Sequence, residues 1–241
     1  VTYASIEFID GAGHISTENG RARFGANFFA DVRQVDALAH VVRGFELAGG
    51  EPPDPVADVG TLNDELAIAD LQVVENRIER VEKQLHGVKK GATTPATIEM
   101  ALLERIRAHI ESGKPLKELE LSADEEKAAR GYDFLTLKPL IAVLNIPEDE
   151  IGKPGPIANA FAAYCDGAGI PRAAFCVEVE MEVSELSDEE ETEFLQSMGI
   201  DQPARHILIG QCYDALGLIS FITAGDPEVR AWTLKRGSTA L

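Results

Sequence analysis

The chain has 241 residues, 45% of them hydrophobic and 26% charged, with 22 Lys and Arg against 41 Asp and Glu for a formal charge of −19. That length suits one large domain or two to three small ones, the composition excludes a wholly disordered chain, and no apolar run reaches the roughly 20 residues of a membrane helix. So acidic a surface repels phosphate backbones at long range, which argues against sequence-specific DNA binding.

Residues 1–10, rich in β-branched and aromatic side chains, read as a strand, and they carry no basic patch followed by an apolar stretch such as a signal peptide needs. The chain does not begin with Met, which leaves room for an upstream segment. A Gly loop at 11–13, a helix over 26–35 and a buried strand over 37–42 follow, the βαβ pattern of a parallel sheet. Composition changes at the Gly- and Pro-rich loop 49–55. Beyond it, Ala67, Leu71, Val74, Ile78, Val81, Leu85 and Val88 alternate spacings of 4 and 3, an apolar seam of three heptads. A break at 87–91 and a Thr94-Pro95 start predict a second helix with Ile98, Leu102, Ile106 and Ile110 on its apolar face, so the pair makes an antiparallel hairpin.

Ser122 and Glu125 form a capping box for a third helix. The β signal returns as a buried strand at 138–145, followed by a helix over 156–166 and a strand over 173–179. An acidic helix at 188–198, a helix near 203–216 and a strand pair at 218–223 and 228–234 complete the chain. Between Glu178 and Asp201 there is no Lys or Arg, whereas Arg77, Arg80, Lys83, Lys89 and Lys90 cluster on the helical segment, a local basic surface on an acidic chain. Cys165, Cys176 and Cys212, odd in number and widely spaced, suit a reducing cytoplasm and make neither a disulfide framework nor a zinc pattern.

Two turns at strand ends carry candidate chemistry. In Asp10-Gly11-Ala12-Gly13, the D-x-x-G arrangement places a carboxylate for a hydrated Mg²⁺ and a Gly whose N–H can meet a terminal phosphate; the same four residues also make a common turn. In Asn145-Ile146-Pro147-Glu148, Asn and Glu stand three apart as in a purine-reading N-K-x-D element with Glu for Asp; the alternative is an Asn turn with a solvated Glu. Both lie at the C-terminal ends of strands, where α/β folds place ligands. His40, in a strand, reads as a satisfied core histidine, and Trp232 as a core residue.

The order of segments resembles the YchF family of Obg-like ATPases, in the P-loop NTPase class. The resemblance runs through Phe8-Ile-Asp10-Gly-Ala-Gly13, Asn27-Phe-Phe-Ala-Asp-Val-Arg33, residues 36–46, residues 63–71, Phe134-Leu-Thr-Leu-Lys-Pro139 and residues 221–232. It implies an α/β P-loop-type parallel sheet in two parts, 1–52 and 131–217, a helical coiled-coil insertion at 53–130, and the start of a β-rich TGS domain at 218–241. It implies ATP hydrolysis with Mg²⁺, GTP being less favoured, and association with the large ribosomal subunit in the cytoplasm. Asp10 would serve Mg²⁺, Gly13 the γ-phosphate, and Asn145, Glu148, Cys176 and Val177 the base. Lys89 and Lys90, expected at the exposed tip of the helical hairpin, would approach ribosomal RNA or an acidic partner.

The departures are equally specific. The family's G-x-x-x-x-G-K-[ST] loop is absent, and truncation is the simplest expectation. His14 stands where the family has an apolar residue and Ras-type GTPases a water-positioning Gln, which makes it a candidate catalytic residue. Val177 and Glu178 replace small residues beside the base, and residues 16–23 lack the family's Gly-rich switch. These departures support an alternative, a non-catalytic relative acting as an interaction scaffold.

Overall fold

The computed structural model describes residues 5–11, 16–18, 21–89, 91–225 and 228–239. In chain order these form β1 (Ser16–Glu18), β2 (Arg21–Arg23), α1 (Ala26–Gln34), β3 (Leu38–Arg43), α2 (Pro55–Leu85), α3 (Pro95–Glu111), α4 (Ala123–Arg130), β4 (Leu140–Asn145), α5 (Pro156–Ala168), β5 (Arg172–Phe175), α6 (Val177–Ser184), α7 (Asp188–Ser197), α8 (Ala204–Ala215), β6 (Leu218–Ala224) and β7 (Val229–Lys235). The fold is α/β, with a parallel three-stranded sheet, helices and small antiparallel ribbons. Two compact units divide the chain, one of Val1–Asp10, Asp36–Gly60 and Pro139–Leu241, the other of Gly11–Val35 and Thr61–Lys138.

The first unit, called here the α/β unit, is built on the sheet β3-β4-β5. β4 is central, and Ile141, Ala142, Val143 and Leu144 are all buried, as a strand covered on both faces requires. One face carries Ala142 and Leu144 with Val42, Val59, Phe161, Cys165, Val179 and Val183; the other carries Ile141 and Val143 with Cys212, Ile6 and Leu208. All three cysteines are free and buried. Edge strand β3 alternates half-buried and exposed residues, and Val41 on it is 57% exposed. The strand expected at 1–10 is not formed by residues 5–10: among the described residues the sheet ladder stops at β3, and without a partner there the β-prone Phe8 and Ile9 stay over 50% exposed; residues 1–4 lie outside the described residues.

A second expectation fails at Val177-Glu-Val-Glu-Met-Glu-Val183. Its alternation suggests that β5 continues to 179, yet β5 ends at Phe175 and the segment is helix α6. Val179 and Val183, four apart, bury on the core, so packing at helical spacing overrides the period-2 pattern. Ribbon β6–β7 pairs Phe221 with Trp232, and Trp232 is 43% exposed, with the Arg230 guanidinium 5.1 Å from its ring centroid, so the core role expected for it is not met among the described residues.

The second, helical unit is held by a shared core of Val74, Ile78, Val81, Leu102, Leu103, Ile106, Ile110, Leu116 and Phe134, with Ala67, Leu71 and Leu85 packed against it. The α2 seam is thus as the heptads require, except that α2 stops at Leu85 and leaves Val88 outside it. Gly87, at φ +90°, turns the chain in a conformation that strains any residue with a Cβ. On α3, Leu103 is buried where Ile98 was expected, and Ile98 is 59% exposed. Thr94 caps α3 as expected, with Thr97 returning the bond, and Ser122 and Glu125 make the reciprocal capping box their sequence specifies. At mid-helix on α2 the fully buried Asp70 accepts from the Leu135 and Thr136 N–H groups, each at 2.9 Å, and from the Thr136 hydroxyl at 2.8 Å.

Candidate functional site

The three parallel strands of the α/β unit end together. Arg43 pairs with Asn145 and Asn145 with Phe175, and main-chain bonds then continue past the ladder: Gly44 N–H donates to Asn145 O at 2.8 Å, and Ile146 N–H to Phe175 O at 3.2 Å. Gly44 is demanded by this approach, because a Cβ there would meet Asn145 O at 2.9 Å and Leu144 Cδ1 at 3.0 Å. Asn145 closes the arrangement through its side chain, Oδ1 accepting from Val177 N–H at 3.1 Å. One carboxamide therefore ties the end of β4 to the first turn of α6.

These strand ends enclose a cleft of about 470 Å³, lined by Gly44, Phe45 and Glu46 after β3, Asn145 to Glu148 and Glu150 after β4, Cys176 and Glu178 after β5, and Ile157 of α5. The size suits a planar heterocycle with room for a sugar. Of the expected site residues, Asn145, Glu148 and Cys176 line it, and Val177 contributes its N–H to Asn145. Asp10 is exposed, in the irregular segment 5–11, and is not among the lining residues. Gly13 and His14 lie outside the described residues, as does Lys90; Lys89 is exposed beyond the end of α2.

The cleft's charge is one-sided: Glu46, Glu148, Glu150 and Glu178 line it, with no Lys or Arg among the described lining residues. Glu150 has a structural duty, its carboxylate accepting from Gly155 N–H at 3.0 Å at the start of α5, where the N–H groups lack helical partners. A Cβ on Gly155 would run into that carboxylate, so a larger residue there has to move the Glu150 side chain off its cap. Glu148 is exposed in the turn after Pro147, in reach of a ligand. Sequence reasoning missed Phe45, the one aromatic ring on the cleft; its signal was its place just after an apolar strand, the same position logic that picked out Asn145.

Among the described residues no three His, Cys, Asp or Glu converge as a metal site. A second hollow, about 900 Å³, lies in the helical unit among Arg77, Ile98, Glu99, Leu102 and Tyr132. Its polar groups bind one another. Arg77 meets Glu99 with two bonds, of 2.6 and 3.0 Å, and the Tyr132 hydroxyl donates to Glu99 at 2.6 Å. The bond to Arg77 holds the Glu99 carboxyl below its usual range, while burial and Glu99 push the Tyr132 phenol up to about 12.

No family model matches the chain. It is, however, similar to curated proteins over nearly its whole length. It is 36% identical over 242 residues to the ribosome-binding ATPase YchF of Pasteurella multocida (strain Pm70), and 35% identical over 244 residues to that of Bacillus subtilis (strain 168), covering 98% of this chain in each case. The chain spans 65% of the length of those relatives. The solved structure of the Schizosaccharomyces pombe YchF GTPase superposes with a TM-score of 0.80 at 26% identity, over 93% of this chain and 61% of that one.

Proposed function

The chain belongs to the YchF family, and from that membership we propose that it is the base-binding portion of a ribosome-associated nucleotide-binding protein which, at its relatives' full length, hydrolyses ATP in preference to GTP. The observation that carries this is the cleft at the ends of three parallel strands, braced by the bond from Val177 N–H to Asn145 Oδ1. Asn145 and Glu148 read the base there, Phe45 and Ile146 give it apolar cover, and Cys176 and Val177 form the adjoining wall. The substrate is Mg-ATP, with Asp10 toward the hydrated metal, the Gly13 N–H toward the γ-phosphate and His14 placed to orient water. Lys89 and Lys90 supply the ribosomal contact, on a cytoplasmic protein. Residues 1–52 and 131–217 act as the nucleotide domain, 53–130 as its coiled-coil insertion, and 218–241 as the start of a TGS domain.

The preference for adenine rests on the Asn145 and Glu148 side chains. In N-K-x-D sites the Asp accepts from the guanine N1–H and amine together, and losing such a pair costs several kcal/mol of discrimination. Glu148 is one methylene too long for that place, whereas the adenine amine needs only an acceptor, which a main-chain carbonyl or the second lone pair of Asn145 Oδ1, beside its bond from Val177 N–H, supplies. A second reading has its own support. Four Glu side chains on the cleft oppose phosphates, and no phosphate-binding Lys loop is present in these 241 residues, as an interaction scaffold would have it.

Calorimetric titration separates the two. For this chain, Mg-ATP and Mg-GTP are both expected to bind with Kd on the order of millimolar or weaker, because backbone N–H groups and a Lys loop normally supply the phosphate affinity. Micromolar binding by this chain would refute the assignment of the cleft to the base alone. In a full-length protein ATP is expected to bind more tightly than GTP, with Glu148→Asp moving the preference toward GTP; no binding of either nucleotide there would leave the scaffold standing.

A further inference from the structure

Helix α1 is short, and its C-terminal carbonyls need partners. Lys138, at the far end of the helical unit's sequence, provides them. Its ammonium donates to Arg33 O at 2.9 Å and to Val35 O at 2.7 Å, and lies 3.5 Å from Asp133 Oδ1. The Lys138 side chain is only 11% exposed, so this cation has been taken out of water and set on the negative end of the helix dipole. The reach is returned: Arg33 Nη1 donates to Asp133 O at 2.8 Å. Asp133 sits at φ +51°, the one non-Gly residue with positive φ among the described residues, a conformation Asp tolerates better than most but at some cost.

The same turn is fastened on its other side. Leu135 and Thr136, between Asp133 and Lys138, give their N–H groups to the buried carboxylate of Asp70 on α2. A continuous set of bonds therefore runs from the end of α1 through residues 133–138 to the middle of α2. Val35 and Lys138 are also the two residues at which the chain leaves this unit for the α/β unit, so the clasp stands at a crossing point of the chain.

We propose that Lys138 is a positioning residue that clasps α1 to the helical hairpin, so that α1 and the hairpin open and move as one cooperative piece. The consequence for ligand response rests on the nucleotide reading above: a change at the turn that leads into α1 would then be delivered to the hairpin.

Hydrogen exchange of the 241-residue chain without nucleotide tests the clasp, and its failure would leave the cleft's assignment untouched. Lys138→Met keeps the aliphatic stem and removes the ammonium. It is expected to speed exchange of α1 amides by roughly 10-fold or more while β4 and α5 are unaffected, with Lys138→Arg restoring part of the protection. Unchanged α1 exchange in Lys138→Met would overturn the proposal. Leu103→Ala opens a cavity in the hairpin core with the clasp intact, since Leu103 is fully buried and distant in sequence from it. In that variant α1 is expected to lose protection by the same factor as α2 and α3; α1 exchange that follows β4 instead would overturn it. Should Lys138→Met unfold the whole chain, Leu103→Ala decides alone.

Discussion

In the helical unit Asp70 has no exposed surface and three hydrogen-bond donors, whereas in the α/β unit His40 keeps Nδ1 buried with none among the described residues. The contrast extends further. The helical unit pairs its interior polar groups, Arg77 with Glu99 and Tyr132, Lys138 with helix-end carbonyls. The α/β unit has an apolar interior with three thiols and places its polar groups at the strand ends, facing the cleft. Charge divides likewise: residues 61–138 hold 12 of the 22 Lys and Arg but only 15 of the 41 Asp and Glu. Paired polar groups fix one geometry at the cost of desolvation; polar groups left at an edge remain available to a ligand. The satisfied core histidine expected at position 40 is instead half-buried, with Nδ1 unpartnered among the described residues.

The sharpest break of this comparison is Asp70→Ala. It orphans two backbone N–H groups at 1–3 kcal/mol each, so the helical unit is expected to lose about 4 kcal/mol while the sheet keeps its own stability. Burial raises the Asp70 pKa, opposed by its bonds to Thr136 and Leu135, so Asp70→Asn is expected to be milder than Ala but still destabilising. Urea unfolding followed by exchange at β4 and α3 measures both units; equal losses in both would end the contrast.

Next in size is acid. Burial lowers the His40 pKa from 6.5 to about 4. Between those values the unfolded chain takes up the proton and the folded one resists it, so stability from this group is complete above pH 6.5 and is lost as pH falls toward 4. The loss is expected to reach roughly 3 kcal/mol by pH 4, located in the α/β unit. His40→Val removes it. If the pH slope of unfolding between 6.5 and 4 is the same in His40→Val as in the parent, the histidine is not as isolated as its surroundings indicate.

Smallest is Gly44→Ala. Its Cβ would sit 2.9 Å from Asn145 O, and the strand end has to yield, at about 1–2 kcal/mol. The damage is expected as weaker nucleotide binding at full length together with an unfolding loss no larger than about 1–2 kcal/mol. A large stability loss with intact binding would make this glycine a packing residue only.

Sequence pattern foretold the elements whose stabilisation is local. The caps at Thr94 and Ser122 and the α2 seam needed only neighbours three and four residues away. It failed where a distant partner decides. Phe8 and Ile9 are β-prone without a ladder to join, and Val177–Val183 alternates like a strand but finds its core four residues apart. For the cleft, Asn145 and Glu148 were legible because they end an apolar strand; Phe45 ends another and needed the register to bring it there. Nothing in the sequence foretold that Asn145 would bind Val177, a contact across 32 positions.

The buried thiols have a consequence for reactivity. Burial pushes the Cys165 and Cys212 thiols up, away from the thiolate that reacts with alkylating reagents. Cys176, also buried, borders the cleft, so a reagent small enough to enter would meet that sulfur first. Its labelling rate becomes a built-in gauge of whether the cleft is open or filled, and a cysteine introduced at exposed position 89 would outrun all three natural ones as a handle for a dye.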